Sequence, residues 1–174
     1  MTLDEVVVAV CGYSPTHVVV TGGEPMIFPE SVALTRRFKD SGFHVTVETA
    51  GTVYQPVACD LMSISPKLSN STPEGVFRAQ HERLRIQPAV LRQLMGGYDY
   101  QLKFVMAREA DLAEVQDLIA LLNAPAGKVV LMPEGTRAEV LSERGVWIAE
   151  LCKQFGYRFS PRLHVHLYGN RRGT

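Results

Sequence analysis

The sequence predicts an α/β domain built on parallel strands. Short apolar stretches rich in Val and Phe alternate with segments of helical spacing along nearly the whole chain. Repeated βα units form parallel sheets, because each helix returns the chain to start the next strand in the same direction. Gly, Pro and polar residues follow several of the strand-like stretches, as is typical of strands whose carboxyl ends carry a binding site.

The amino-terminal segment predicts a short helix followed by a strand. Thr2 and Glu5 have the spacing of a capping box, and the helix is expected to end near Gly12. Residues 18–20 are three consecutive valines without polar alternation. That pattern favours a strand covered on both faces, as in a parallel sheet.

Strand-like and helix-like segments continue to alternate through the rest of the chain. Pro88 interrupts a helical pattern at residues 83–95, so it should kink that helix or mark a late start. Residues 68–78 are polar and predict a loop. Further strands are predicted at 43–47, 60–64, 98–106, 128–131 and in a strand-rich stretch at 157–168. Further helices are predicted at 30–41, 111–122 and 137–155.

Length and composition limit the class of protein. A chain of 174 residues fits a single domain, 1–174, and needs no disulfide or structural metal to fold. Its 18 basic residues balance 18 acidic ones, so no overall field attracts nucleic acid or an anionic membrane. Three scattered cysteines and no membrane-spanning apolar run predict a reducing, cytoplasmic location.

Polar residues cluster where the predicted strands end. Neighbouring parallel strands end at the same edge of a sheet, so these segments are expected to converge on one cleft. They are Thr21 to Glu24, Glu48-Thr49, Ser65 to Lys67, Gln101 with Lys103, and Met132 to Gly135.

The first of these segments is the most informative. In Thr21-Gly22-Gly23-Glu24-Pro25, two glycines allow a ligand to approach the backbone closely, and Glu24 offers an acceptor for an amine or hydroxyl. Taken alone, the same residues also describe an ordinary turn between a strand and a helix, with Pro25 fixing φ and Glu24 solvated.

The order of these motifs resembles the radical S-adenosylmethionine (SAM) superfamily. Within it, the carboxyl-terminal sequence from His166 to Thr174 is similar to the 7-carboxy-7-deazaguanine synthase family. The resemblance extends from Val18 to the end of the chain. It implies an incomplete (βα) barrel of the radical SAM type, with parallel strands and the amino-terminal βα unit missing.

The resemblance also implies the chemistry. A [4Fe-4S] cluster cleaves SAM reductively, and 6-carboxytetrahydropterin contracts to 7-carboxy-7-deazaguanine with loss of ammonia. This carbon–nitrogen lyase reaction belongs to queuosine biosynthesis and hence to tRNA modification. Mg²⁺ assists in this family, an electron donor such as flavodoxin is needed, and the enzyme is expected to be a homodimer that acts without nucleic acid or membrane.

Site residues follow from the resemblance position by position. Thr21 and Thr174 are expected to bind the pterin, and Glu48 the ribose of SAM. Gly22, Gly23 and Glu24 are expected to hold the amino group of the SAM methionine. The other residues expected at the SAM site are Ser65, Pro66, Lys67, Gln101, Met132, Pro133, Glu134 and Gly135. No catalytic residue is assigned.

The cysteines depart from the family pattern. The family holds its cluster through a Cys-x3-Cys-x2-Cys loop, because three thiolates bind three irons. The spacing of Cys11, Cys59 and Cys152 does not match this loop. We interpret the three residues as small buried hydrophobic side chains and predict no metal site in this chain. The chain alone is therefore expected to be inactive. The alternatives are another radical SAM enzyme, or a non-catalytic module that binds SAM or a nucleoside.

Overall fold

The computed structural model of the chain describes residues 1–171. Its strands are β1 (His17–Val20), β2 (His44–Thr49), β3 (Leu61–Ile64), β4 (Tyr100–Met106), β5 (Val129–Pro133) and β6 (Arg158–Phe159). Its helices are α1 (Leu3–Cys11), α2 (Glu30–Asp40), α3 (Arg78–Leu84), α4 (Pro88–Gly97), α5 (Asp111–Leu122), α6 (Ala138–Phe155) and α7 (Leu163–Tyr168). Thr174, expected at the substrate, lies outside the described residues.

The strands form a sheet in which neighbours follow one another along the chain. The order is β1-β2-β3-β4-β5-β6, and the pairs of known register are all parallel. Sequential parallel strands linked by helices are what an incomplete (βα) barrel predicts. The predicted α/β class with parallel strands is therefore confirmed.

The chain divides into two compact units. Unit 1 comprises Met1–Ile64 and Gln87–Gln101, and unit 2 comprises Ser65–Ile86 together with the chain from Leu102 onward. Strand β4 thus starts in unit 1 and continues in unit 2. The single domain expected from chain length stays a prediction.

In unit 1, the carboxyl ends of β1, β2 and β3 lie at the same edge of the sheet. Val20 of β1 pairs with Val47 of β2, and Thr49 of β2 pairs with Ile64 of β3. Strand β2 alternates between buried and partly exposed positions, so one of its faces lies in the core. Fully buried side chains come from β2, β3 and α4, namely Val45, Val47, Met62, Ile64, Leu91 and Leu94.

Unit 2 is built around β4 and β5. Met106 at the end of β4 pairs with Pro133 at the end of β5, so the two strands end side by side. Their buried side chains pack with those of α5 and α6; the core includes Leu102, Phe104, Met106, Val129, Leu131, Val115, Leu141 and Ile148.

Several expectations for the elements are corrected. Strand β1 is not covered on both faces in the described chain, since His17 and Val19, which share one face, are exposed. The stretch 157–168, predicted to be rich in strand, contains a two-residue strand and then helix α7, because a short apolar run is compatible with either state. Pro88 stands at the first position of α4, where its missing N–H costs nothing.

The capping box at Thr2 and Glu5 is confirmed. The Glu5 amide donates to the Thr2 hydroxyl at 3.2 Å, and the Thr2 amide donates to the Glu5 carboxylate at 2.7 Å. Within residues 1–171, every helix is too short or too polar to cross a bilayer.

Candidate functional site

The loop after β1 adopts a conformation that requires its two glycines. Gly22 has φ +104° and Gly23 has φ +49°. A Cβ at either position would meet nothing within 4 Å, so the constraint comes from the backbone angle and not from space. Both residues are exposed, and their backbone groups are therefore accessible to a ligand.

Glu24 is the centre of a buried hydrogen-bond network in unit 1. Its carboxylate accepts from the Thr49 hydroxyl at 2.8 Å and from the Ala50 amide at 2.9 Å. The Met26 amide donates to it at 3.3 Å, which caps the 3₁₀ turn Pro25–Ile27. The residue is only 9% exposed.

This network gives Glu24 a structural role that the sequence did not reveal. A carboxylate offers about four lone-pair sites, and the surrounding protein donors occupy much of that capacity. The carboxylate thus joins the loop after β1 to the end of β2. Binding of a ligand ammonium by the same group stays a prediction.

Three further predicted site residues of unit 1, Thr21, Glu48 and Gln101, make polar contacts at the strand ends. The Thr21 hydroxyl donates to the Glu48 carboxylate at 3.3 Å. The Gln101 amide donates to the Ser63 hydroxyl at 3.0 Å. A pocket of about 210 Å³ adjoins Thr21 and Gly22, and Val20 and Phe28 give it apolar walls.

Unit 2 contains a cleft of about 400 Å³. Four residues that the sequence predicted at the SAM site line it, namely Ser65, Pro66, Lys67 and Glu134. Asn70 and Arg162 contribute further polar groups, and Val105 contributes an apolar one. The cleft therefore offers both signs of charge and an apolar wall within one small volume.

The Ser65-Pro66-Lys67 loop is held by a network of charged groups. Arg85 donates to the Lys67 carbonyl at 3.0 Å and to the Glu114 carboxylate at 2.5 Å. Glu114 also accepts from the amide and hydroxyl of Ser69, at 2.9 and 2.7 Å. Burial opposes ionisation of Glu114, but the hydrogen bonds from Ser69 and Arg85 outweigh it and lower the pKa of the carboxyl.

The loop after β5 is fixed by its backbone. The Glu134 amide donates to the Met106 carbonyl at 2.8 Å, and Arg144 donates to the Glu134 carbonyl at 2.5 Å. Arg144 also forms an ion pair with the Glu134 carboxylate. The Gly135 carbonyl accepts from Arg162 at 3.0 Å, which orients that guanidinium beside the cleft.

The predicted site residues thus fall into two groups, each described within its own unit. Thr21 to Glu24, Glu48 and Gln101 belong to unit 1, and Ser65 to Lys67 with Met132 to Gly135 belong to unit 2. Met132 and Pro133 are the last residues of β5, and Pro133 is buried. Their expected contact with SAM stays a prediction, as does the convergence of all these segments on one cleft.

Sequence reasoning missed Asn70, Arg85 and Glu114. They lie in segments that carry no recognisable motif: Asn70 falls in the predicted loop 68–78, and Arg85 and Glu114 fall in the predicted helices 83–95 and 111–122. The one available signal was the Ser-Asn-Ser sequence at 69–71, which is typical of a turn that hydrogen-bonds its own backbone.

The described cysteines do not form a cluster-binding group. Cys11 is exposed, Cys59 is half-buried and Cys152 is buried, so the expectation of buried thiols is wrong for Cys11. Burial, followed by the nearby charge of Asp60, raises the pKa of the Cys59 thiol to about 11, which disfavours a thiolate ligand. Within residues 1–171, no group of three or more His, Cys, Asp or Glu residues is placed to hold a metal ion.

Comparison with known proteins identifies relatives over nearly the whole chain. A 7-carboxy-7-deazaguanine synthase from Halobacterium salinarum is 40% identical over 98% of this chain and 72% of its own length. Proteins of the same name from Rhodopirellula baltica and Pyrobaculum aerophilum are 35% and 33% identical over 99% of this chain, and over 69% and 75% of their own lengths. No protein-family model matches the chain. The extent and identity of these matches show that the chain belongs to the 7-carboxy-7-deazaguanine synthase family, a family of enzymes.

Proposed function

We propose that this chain binds SAM and 6-carboxytetrahydropterin for the radical ring contraction that yields 7-carboxy-7-deazaguanine with loss of ammonia. The reaction would be that of a carbon–nitrogen lyase in queuosine biosynthesis, and so in tRNA modification. One observation carries the SAM assignment: Ser65, Pro66, Lys67 and Glu134, selected from sequence alone, line a single cleft in unit 2.

The chemistry of the cleft suits SAM. The ligand carries a carboxylate, an ammonium, a sulfonium and a flat aromatic base. Lys67 and Arg162 supply positive charge for the carboxylate, and Glu134 supplies negative charge for the cationic groups. Pro66 and Val105 supply apolar surface for the base.

The predicted site residues of unit 1 are assigned through the family resemblance. Glu48 would accept hydrogen bonds from the ribose hydroxyls, and Gln101 would contact the nucleoside. The exposed carbonyls of Gly22 and Gly23, with Glu24, would accept from the amino group of the methionine. Thr21 is proposed to contact the pterin, and the apolar walls of the adjoining 210 Å³ pocket suit a flat ring.

A [4Fe-4S] cluster supplies the electron that cleaves SAM in the superfamily that this chain resembles. The three described cysteines do not fit such a group, because Cys11 lies in α1, Cys59 in the segment before β3 and Cys152 in α6, and one is exposed while another is buried. The described residues likewise offer no cluster of carboxylates for Mg²⁺. What we assign to this chain is the binding and orientation of SAM and pterin. An electron donor such as flavodoxin and a homodimeric state belong to the proposal through the family resemblance.

The proposal is tested by titrating the chain with SAM in a calorimeter. Saturable binding of one SAM per chain is expected. The Lys67→Gln variant should bind roughly tenfold more weakly, since a hydrogen bond to a charged group is lost. Lys153→Gln is the matched control, because Lys153 is 72% exposed and pairs with Glu150 on α6. Absence of saturable binding to the unaltered chain would overturn the proposal.

A further inference from the structure

Asn70 lies in the 3₁₀ turn Ser69–Ser71 and lines the cleft of unit 2. Its amide nitrogen makes two hydrogen bonds, one to the Val105 carbonyl at 3.0 Å and one to the Asp111 carboxylate at 2.7 Å. The turn is thereby attached both to the end of β4 and to the first residue of α5.

The chemistry of these two partners fixes which end of the amide faces them. A backbone carbonyl can only accept a hydrogen bond, and an ionised carboxylate likewise only accepts. Burial opposes ionisation of Asp111, but hydrogen bonds from Asn70, from the amides of Ala107 and Arg108 and from the Arg108 side chain lower the pKa of its carboxyl. The Asn70 nitrogen, with its two N–H groups, must therefore point at Val105 and Asp111.

Because the nitrogen of the Asn70 amide is held in place, the position of its carbonyl oxygen is fixed as well. An asparagine amide has two donors and one carbonyl, and both donors are used. The carbonyl oxygen remains for a ligand, and it can only accept hydrogen bonds. Rotation of the amide to present its nitrogen instead would break both existing hydrogen bonds. Such a group selects a donor on the ligand, in contrast to a hydroxyl, which adapts to either.

We propose that Asn70 determines specificity in this cleft by accepting a hydrogen bond from the exocyclic amine of the adenine of SAM. The inference rests on the proposed function, since it places an adenosyl group in the cleft. The exocyclic amine is the only N–H donor of adenosine, whereas the ribose hydroxyls both donate and accept and need no fixed acceptor. Pro66 and Val105 lie in the same cleft and provide apolar contact for the face of the base.

Two nucleosides that differ only in the amine test the contact in the unaltered chain. Adenosine should bind roughly 3- to 10-fold more tightly than purine riboside, which lacks the amine, as measured by calorimetry. Equal affinities would overturn the inference while leaving SAM binding intact. Failure of both nucleosides and of SAM to bind would overturn the proposed function, and the inference with it.

Substitution of Asn70 assigns the discrimination to this residue. In Asn70→Ala the preference for adenosine should fall to about twofold or less, with little change for purine riboside. Arg108→Ala is the matched control: it also removes a donor to Asp111, at 3.1 Å, but leaves Asn70 in place, so the preference should persist. Thermal unfolding of both variants reports whether the fold is kept. A folded Asn70→Ala variant that keeps the original preference for adenosine over purine riboside would overturn the inference. If that variant does not fold, the comparison of the two nucleosides in the unaltered chain still tests whether the amine is recognised.

Discussion

The Thr49 hydroxyl lies 2.8 Å from both carboxylate oxygens of Glu24 and donates to that carboxylate. Thr49 is the last residue of β2, and Glu24 belongs to the loop that follows β1. The Thr49 oxygen in turn accepts from the Gly51 amide at 2.9 Å. One buried carboxylate therefore fixes the shape of two loops at the strand ends of unit 1.

Replacement of Glu24 by Gln should destabilise the chain. The variant places an NH₂ group where several N–H and O–H donors converge, so at least one buried donor loses its acceptor. We expect the free energy of unfolding, measured in urea, to fall by about 1.5–3 kcal/mol. Glu30→Gln, at an exposed position in the first turn of α2, should change it by less than about 0.5 kcal/mol. A Glu24→Gln variant as stable as that control would show that the network contributes little.

Gly51→Ala should destabilise the same region for a different reason. Gly51 has φ +73°, and a Cβ there would lie 2.4 Å from Leu91 Cδ2 and 3.0 Å from Ile64 Cγ2. The left-handed backbone and the overlap together should lower the free energy of unfolding by about 2–4 kcal/mol.

The matched control is Gly96→Ala in α4, where a Cβ meets nothing within 4 Å. That change should leave stability unaltered or raise it by about 0.5–1 kcal/mol, because Ala favours a helix over Gly. Equal midpoints of thermal unfolding for the two variants would contradict the packing around Gly51.

The fold was predictable because local patterns and tertiary structure agree along most of the chain. The helix at 111–122 has an apolar periodicity that matches its burial, with Val115, Leu118 and Leu122 buried, and the capping box at Thr2 uses only neighbouring residues. The stretch 157–168 was not predictable, because a short apolar run does not distinguish a short helix from a strand.

The candidate site was predictable only where a motif marks it. Ser65 to Lys67 stand out because a strand stops at a proline. Asn70, Arg85 and Glu114 became recognisable only from the fold, since Ser69 and Glu114 meet across 45 positions of sequence. The exposure of Val19 could not be read from three consecutive valines, because such a run does not say whether another layer covers each face of the strand.

The stability of the chain should depend on pH through two hydrogen-bonded carboxylates of unit 2, the buried Asp111 and the half-buried Glu114. The pKa values of Asp111 and Glu114 lie below their ordinary values of 3.8 and 4.5. A carboxyl with a lowered folded-state pKa stabilises the fold above its unfolded-state value and loses that effect as the pH falls through the folded-state pKa. The free energy of unfolding should therefore fall between about pH 5 and about pH 2.

Substitution isolates the contribution of Asp111. In Asp111→Asn, which is less stable at neutral pH, the loss of stability on acidification should be smaller than in the unaltered chain. Asp117→Asn, at an exposed position of the same helix, should keep the full pH dependence. If the free energy of unfolding fell equally with pH in Asp111→Asn and in the unaltered chain, Asp111 would not be a source of the pH dependence.

Reconstitution with iron and sulfide tests the interpretation of the cysteines. Under anaerobic conditions the chain should acquire no brown colour and no charge-transfer absorbance, because its three described thiols lie in distant segments of the sequence and lack the spacing of a cluster loop. Iron and sulfide bound in stoichiometric amounts as a cluster would refute this interpretation, and triple replacement of the cysteines by Ser would then show whether they hold it.

The central claim is that the polar strand ends bind SAM, and a nitrogen-15 NMR titration of the chain with SAM tests it most directly. The account predicts that the amide signals of Ser65, Lys67 and Glu134, which line the cleft of unit 2, shift with one common dissociation constant, while exposed positions such as Lys153 stay unchanged. Saturable shifts confined to other parts of the chain, or no shifts at all, would contradict it.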